Sequence, residues 1–128
     1  MNIKSILLVD DDRWLAKGLQ QILQKEGFLV HLAANGREAM EWLDTNGSVD
    51  LVITDIYMEE MDGIETVNAV KKQFPNIKIL AMSGGSNFTK MDCLPVAKIL
   101  GADRTLPKPA VVPDLLKLIA ELDAEVGK

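Results

Sequence analysis

The sequence has few of the features that mark secreted, membrane-bound or nucleic-acid-binding proteins. Its single cysteine, Cys93, excludes an internal disulfide and fits a reducing compartment. No apolar run approaches the roughly 20 residues that a membrane-spanning helix needs, and the first residues do not resemble a signal peptide. The formal net charge of −5 disfavours sequence-independent nucleic-acid binding, which relies on Lys and Arg. We therefore expect a cytoplasmic protein that binds neither nucleic acid nor membrane directly.

Internal repeats, low-complexity tracts and long linkers are also absent from the 128 residues. Hydrophobic residues make up 48% of the chain and charged residues 26%, a composition typical of a globular protein with an ordinary core. A chain of this length buries a sizeable core without disulfides or structural metals. We therefore expect a single domain over residues 1–128.

Short apolar runs alternate with amphipathic stretches and predict five strands, at 5–9, 28–33, 51–54, 77–82 and 104–106. Between these runs apolar residues recur at helical spacing, and Gly27 and Gly101 are typical helix-ending residues. Asn35, with Glu38 three residues later, predicts a capped helix start, and a short helix is predicted over 92–100. Continuous apolar strands joined by helices indicate a parallel sheet. We predict a flavodoxin-like, doubly wound α/β fold of five β–α units with strand order 2-1-3-4-5.

Polar side chains follow the carboxyl ends of four predicted strands: Asp10, Asp11 and Asp12 after the first, Asp55 after the third, Ser83 after the fourth and Lys108 after the fifth. In the predicted order these four strands are neighbours, and ligands bind outside their carboxyl ends. Clustered carboxylates repel one another, and Mg²⁺, which takes oxygen ligands, relieves that repulsion. With a hydroxyl and an ammonium nearby, the crevice has the groups needed for phosphoryl transfer to an aspartate.

Each of these residues also has a simpler interpretation. The aspartates at 10–12 could only cap the first helix, and Asp55 could be a turn residue at a strand end. Ser83 could be an ordinary loop residue next to two glycines, and Lys108 could be an exposed surface charge. Three successive aspartates exceed what a cap needs, and Asp55 is expected in the same crevice. We therefore interpret the cluster as a metal site.

Four segments resemble, in order, the motifs of a response-regulator receiver domain. They are Ile-Leu-Leu-Val-Asp-Asp-Asp at 6–12, Asp-Ile-Tyr-Met-Glu-Glu-Met-Asp-Gly at 55–63, Ala-Met-Ser-Gly at 81–84 and Gly-Ala-Asp-Arg-Thr-Leu-Pro-Lys-Pro at 101–109. The resemblance covers the whole chain. It implies a switch in two-component signalling or a phosphorelay, in which a histidine kinase or histidine phosphotransfer protein passes a phosphoryl group to Asp55. The signal then passes by contact to a downstream protein that the sequence does not name.

The resemblance also implies a role for each polar residue. Asp11 would bind Mg²⁺ directly, Asp10 would bind it through water, and Asp55 would be both metal ligand and phosphoacceptor. The backbone carbonyl of Tyr57 would be the remaining protein ligand. Ser83 would hydrogen-bond one phosphoryl oxygen, and Lys108 would pair with another. Such a domain catalyses only its own phosphorylation and slow dephosphorylation, so it is not an enzyme acting on a separate substrate.

The sequence departs from the family pattern at three positions. Glu59 replaces a usual proline, Thr105 replaces the aromatic switch residue of the fifth strand, and Ala110 replaces an aromatic after the lysine-proline pair. Because Thr105 lacks the aromatic ring of the usual switch residue, one alternative function stays open: a receiver-like binding module that works without phosphorylation. A phosphohydrolase of the haloacid-dehalogenase type would need a second acid two residues after the aspartate nucleophile. This sequence has Tyr57 at that position, which argues against such an enzyme. Because no output domain follows residues 126–128, a stand-alone receiver and a fragment of a longer regulator both stay open.

Overall fold

The fold is described by a computed structural model that covers residues 2–56, 63–83, 101–107 and 112–126. The elements are β1 (Ser5–Val9), α1 (Arg13–Lys25), β2 (Leu29–Ala33), α2 (Gly36–Asn46), β3 (Leu51–Asp55), α3 (Gly63–Gln73), β4 (Lys78–Ser83), β5 (Arg104–Pro107) and α4 (Val112–Val126). The five strands are parallel and lie in the order β2-β1-β3-β4-β5. The predicted flavodoxin-like, doubly wound fold is confirmed, with each strand boundary within one residue of its prediction. The helix predicted over 92–100 lies outside the described residues.

Helices cover both faces of the sheet and enclose two apolar cores. One core lies between the sheet and helices α2 and α3, and the other lies between the sheet and helices α1 and α4. Val52 enters the first core and its neighbour Ile53 the second, because successive side chains of a strand point to opposite faces. Burial on both faces explains the continuous apolar runs of the strands. Of the helices that the structure describes, none combines the length and the apolar character that a bilayer crossing requires.

The ends of the first two helices follow local rules. Gly27 has φ +101° and donates its N–H to Gln24, while Phe28 donates to Leu23, so α1 ends in a Schellman motif as the glycine predicts. At the start of α2, Asn35 accepts a 2.9 Å hydrogen bond from the backbone N–H of Glu38. The carboxylate of Glu38 accepts from the N–H of Ala34 at 3.3 Å. The predicted cap is confirmed, but the return bond of the capping box goes to Ala34 instead of Asn35.

The helical spacing of Leu15, Leu19, Ile22 and Leu23 predicts one buried face for α1, and this prediction is partly wrong. Leu19 and Leu23 are buried, as expected, and Ala16 joins them. Leu15 and Ile22, however, are 39% and 37% exposed. At 3.6 residues per turn these two positions lie roughly a quarter turn around the helix from the buried stripe, so the sheet does not cover them. The helix therefore presents apolar side chains to solvent beside its packed face.

Candidate functional site

Three aspartates meet at the carboxyl ends of β1 and β3. Asp10, Asp11 and Asp55 each offer a carboxylate oxygen, and these oxygens all lie within 4.8 Å of one another. The strands that precede them are hydrogen-bonded neighbours with Val9 opposite Thr54, so the residues that follow are brought to one place. Asp10 and Asp55 are only 2% and 6% exposed, whereas Asp11 is exposed. The cluster is thus open on the side of Asp11.

This donor set fits Mg²⁺. The ion prefers oxygen ligands at about 2.1 Å, so two ligand oxygens on one ion lie at most about 4.2 Å apart. Carboxylates grouped within 4.8 Å need only a small side-chain adjustment, or one intervening water, to share such an ion. Mg²⁺ also takes few protein carboxylates and keeps positions for water or phosphate oxygens. The residues that could hold it are Asp10, Asp11 and Asp55.

Asp12 does not belong to this cluster. It is the N-cap of α1, and its carboxylate accepts a 3.1 Å hydrogen bond from the backbone N–H of Leu15. The two interpretations of the aspartates at 10–12 therefore apply to different residues. Asp12 caps the helix, while Asp10 and Asp11 lie with Asp55.

The residues on either side of 57–62 are hydrogen-bonded to each other beside Asp55. The N–H of Ile56 donates to the carbonyl of Met82 in β4, and the N–H of Gly63 donates to the carbonyl of Ile56, both at 2.9 Å. One hydrogen bond therefore joins Ile56 to Gly63. Tyr57, whose carbonyl is the remaining predicted protein ligand of the metal, lies outside the described residues.

The remaining predicted site residues are placed only in part. Ser83 ends β4, and its Cα pairs with that of Pro107 at the end of β5. Asp55 pairs with Met82, so the backbone of Ser83 lies one residue beyond the strand neighbour of Asp55. The Ser83 side chain and the whole of Lys108 lie outside the described part of the chain. Their contacts with a phosphoryl group stay predictions.

Two residues that touch the site were not singled out from the sequence. Thr54 donates its hydroxyl to the carbonyl of Asp55 at 2.9 Å, and Gly63 lies directly against the Asp55–Ile56 backbone. The available signals were a hydroxyl within an apolar strand and the glycine that closes the Met-Asp-Gly triplet. Neither signal says which backbone group the residue would touch.

Relatives in sequence cover most of the chain. A family model for the response regulator receiver domain matches residues 6–120. The transcriptional regulatory protein CpxR of Escherichia coli (strain K12) is 38% identical over 107 residues, which is 84% of this chain and 44% of that protein. The sensor kinase CckA of Brucella abortus (strain 2308) is 34% identical over 119 residues, or 92% of this chain and 12% of that protein. The chain thus spans less than half the length of these relatives.

Solved structures of similar chains agree over nearly the full length. A CheY-like response regulator receiver domain protein from Methanospirillum hungatei JF-1 has a TM-score of 0.88 at 30% identity, covering 98% of this chain and 97% of that one. The response regulator TrrA from Thermotoga maritima, solved in complex with Mg(2+)-BeF, has a TM-score of 0.79 at 29% identity, covering 94% and 99%. From its strand order, its family match and these neighbours, the chain belongs to the response regulator receiver domains of two-component signalling systems.

Proposed function

We propose that the chain is a phosphorylation-activated switch that accepts a phosphoryl group on Asp55 in a Mg²⁺-dependent reaction. The observation that carries this proposal is the grouping of Asp10, Asp11 and Asp55 within 4.8 Å at the carboxyl edge of the sheet. In this proposal one receiver domain spans residues 1–128 and works in the cytoplasm. The single cysteine fits a reducing compartment.

Asp55 is the member of the cluster best suited to act as the nucleophile, because it ends a central strand and its peptide is held by hydrogen bonds. One of its carboxylate oxygens attacks the phosphorus of a phosphohistidine on a kinase or phosphotransfer protein. The O–P bond forms, the P–N bond breaks, and the imidazole leaves with the electron pair and takes up a proton. Later attack by water on the phosphorus breaks the P–O bond to Asp55, releases inorganic phosphate and restores the carboxylate. The chain thus catalyses only its own phosphorylation and dephosphorylation.

Asp10, Asp11, Asp55 and the Tyr57 carbonyl would hold Mg²⁺, with Asp10 acting through water. When bound, Mg²⁺ neutralises charge on the carboxylates and on the phosphoryl oxygens. The similarity to TrrA, which was solved with Mg(2+)-BeF, supports this assignment. Ser83 and Lys108 would hold the other phosphoryl oxygens, a hydroxyl by hydrogen bonding and an ammonium as a compact charge.

The phosphodonor protein would approach from the side of Asp11, since Asp10 and Asp55 are almost fully buried. Trp14 follows Asp11 by three residues, in the first turn of α1, and is 88% exposed. Tryptophan is enriched among the residues that carry most of the binding energy of protein interfaces. We include Trp14 in the contact surface for a histidine kinase or phosphotransfer protein. The downstream partner in this proposal is a protein, with no direct contact to nucleic acid.

Intact-mass spectrometry with acetyl phosphate and Mg²⁺ tests the proposal. The wild type should gain one phosphate, Asp55→Asn should gain none, and Asp44→Asn, an exposed acid on α2, should behave as the wild type. Equal modification of Asp55→Asn would place the phosphate elsewhere. A folded wild type that gains no phosphate from acetyl phosphate or from phosphohistidine donors would favour the alternative that Thr105 leaves open, a receiver-like binding module that works without phosphorylation.

A further inference from the structure

The backbone of Asp55 and Ile56 is held from several directions. The hydroxyl of Thr54 donates to the Asp55 carbonyl at 2.9 Å. The N–H of Ile56 is bound by Met82 of the neighbouring strand, and the Ile56 carbonyl is bound by the N–H of Gly63, both at 2.9 Å. These bonds involve a side chain, a strand and the first residue of α3. The backbone that carries the Asp55 side chain therefore has little freedom to turn.

The first residue of α3, Gly63, packs directly against the backbone of Asp55 and Ile56, and the lack of a side chain makes this contact possible. A Cβ at position 63 would overlap the Asp55 carbonyl oxygen and the Ile56 Cα, and it would lie 2.9 Å from the Asp55 carbonyl carbon. These are backbone atoms, which cannot swing aside. At Gly101, by contrast, the three atoms nearest to an added Cβ would be side-chain atoms of Lys71. Any side chain at position 63 must therefore displace either α3 or the Asp55–Ile56 peptide.

Thr54 contributes a hydroxyl where the core would accept an apolar residue. It is fully buried and lies on the same face of β3 as Val52. Valine has nearly the same shape and suits a strand at least as well. A buried hydroxyl costs free energy unless it is hydrogen-bonded. The bond to the Asp55 carbonyl is what the hydroxyl of Thr54 supplies here.

We propose that Thr54 and Gly63 are positioning residues that orient the Asp55 carboxylate for metal binding and phosphorylation. Turning the Asp55–Ile56 peptide would move the carboxylate and the backbone of Ile56, which directly precedes Tyr57 in the sequence. Mg²⁺ demands near-ideal octahedral geometry, and a misplacement of about 1 Å in a reacting group can cost roughly a hundredfold in rate. This inference rests on the proposed function, in which Asp55 is both ligand and acceptor.

The test compares Thr54→Val, Thr54→Ser and Gly63→Ala with the wild type in the full chain. Mg²⁺ affinity is measured by calorimetric titration without phosphodonor, and the ¹³C shift of the Asp55 carbonyl is measured without metal. We expect Thr54→Val to weaken Mg²⁺ binding roughly threefold to tenfold, the range that one lost hydrogen bond gives, and to shift the Asp55 carbonyl signal. Thr54→Ser should keep the Mg²⁺ affinity and the Asp55 carbonyl shift of the wild type. Gly63→Ala should weaken Mg²⁺ binding more than Thr54→Val does.

Val70→Ala is the matched control, because Val70 is buried in the same core two turns further along α3. It should lower the melting temperature without changing Mg²⁺ affinity. The inference is overturned if Thr54→Ser binds Mg²⁺ as weakly as Thr54→Val does. It is also overturned if Val70→Ala weakens Mg²⁺ binding as much as Thr54→Val does. If Gly63→Ala does not fold, the two Thr54 variants decide. A wild type that neither binds Mg²⁺ nor takes phosphate contradicts the proposed function instead, while the carbonyl shifts still test the hydrogen bond.

Discussion

The backbone N–H of Asp12 donates a 2.9 Å hydrogen bond to the Oδ1 atom of Asp10. Asp12 uses its own carboxylate to cap the first turn of α1 at Leu15. A buried member of the acidic cluster is therefore tied to the start of a helix. Asp11, between them, is exposed and belongs to the cluster. The neighbouring aspartates thus have separate roles that single substitutions can distinguish.

Asp11→Ala should abolish the Mg²⁺-dependent rise in melting temperature. A bound ligand stabilises the folded state by mass action, so loss of a direct ligand removes that increment. The metal-free variant should melt no lower than the wild type, because one of three mutually repelling carboxylates is gone. Thermal melting with and without Mg²⁺ measures both effects. An unchanged shift in Asp11→Ala would move the metal to another site.

Asp12→Ala is the control for this experiment and should give the opposite pattern. Loss of the cap at Leu15 should cost about 1 kcal/mol of the free energy of unfolding and lower the melting temperature with or without metal. The increment that Mg²⁺ adds should stay close to that of the wild type. A lost increment in Asp12→Ala would mean that the cap is needed to build the metal site.

Lys108→Ala should leave Mg²⁺ affinity intact while weakening phosphorylation. An ammonium suits a phosphoryl oxygen and repels a metal ion, so its removal should be felt only when the phosphoryl group is present. Mg²⁺ titration and the rate of phosphorylation by acetyl phosphate separate the two effects. Lys117→Ala, an exposed lysine of α4, is the control and should change neither. Lost Mg²⁺ binding with normal phosphorylation would contradict the role given to Lys108.

Trp14→Ala should slow phosphotransfer from a protein donor without slowing phosphorylation by acetyl phosphate. Exposed tryptophans often dominate protein interfaces, and truncating one commonly costs about tenfold or more in binding. The donor in this assay is a phosphorylated histidine phosphotransfer domain that is first shown to phosphorylate the wild type. The control is Leu29→Ala, because Leu29 is also apolar and exposed but lies on β2. This variant should not affect either reaction. A matching loss with acetyl phosphate would assign Trp14 to the site instead of the interface.

Phosphorylation should change the strand-five face around Thr105 only slightly. Thr105 has no ring to bury, and its branched side chain has few rotamers, so the apolar gain of an aromatic switch is missing. A ligand shifts a conformational equilibrium only by its differential affinity for the two states. We expect most of the response in residues 84–91, which lie outside the described residues. The sequence predicts a polar loop there that begins with Gly84 and Gly85, and glycine permits backbone rearrangement.

A hydrogen-exchange or chemical-shift map with and without beryllofluoride and Mg²⁺ measures this response. Asp55→Asn under the same conditions is the control and should show no change that depends on beryllofluoride. Changes concentrated around Thr105 with a silent loop 84–91 would mean that the readout survives without the aromatic.

The strands and the ends of the first helices could be predicted because they depend on neighbours along the chain, and the strand order could be predicted because it is the flavodoxin-like order of a doubly wound fold. Continuous apolar runs indicate strands buried on both faces. Gly27 tolerates the φ of +101° at the end of α1, and Asn35 caps α2 through a hydrogen bond from Glu38, three residues later. The crevice was also predictable in outline. Parallel strands end at one edge of the sheet, so polar residues that follow adjacent strands must meet there.

Residue types alone did not divide the roles of the three neighbouring aspartates. All three can cap a helix or bind a metal, and only the resemblance to receiver domains assigned the metal to Asp10 and Asp11. The tertiary structure places these two beside Asp55, and it places Asp12 at the start of α1. Nor could the sequence predict that α3 begins on the backbone of Asp55 at Gly63. Such contacts depend on distances of a few ångströms between segments far apart in the chain. Those distances are set by how the helices pack on the sheet, and a pattern of residue types along the chain does not contain them.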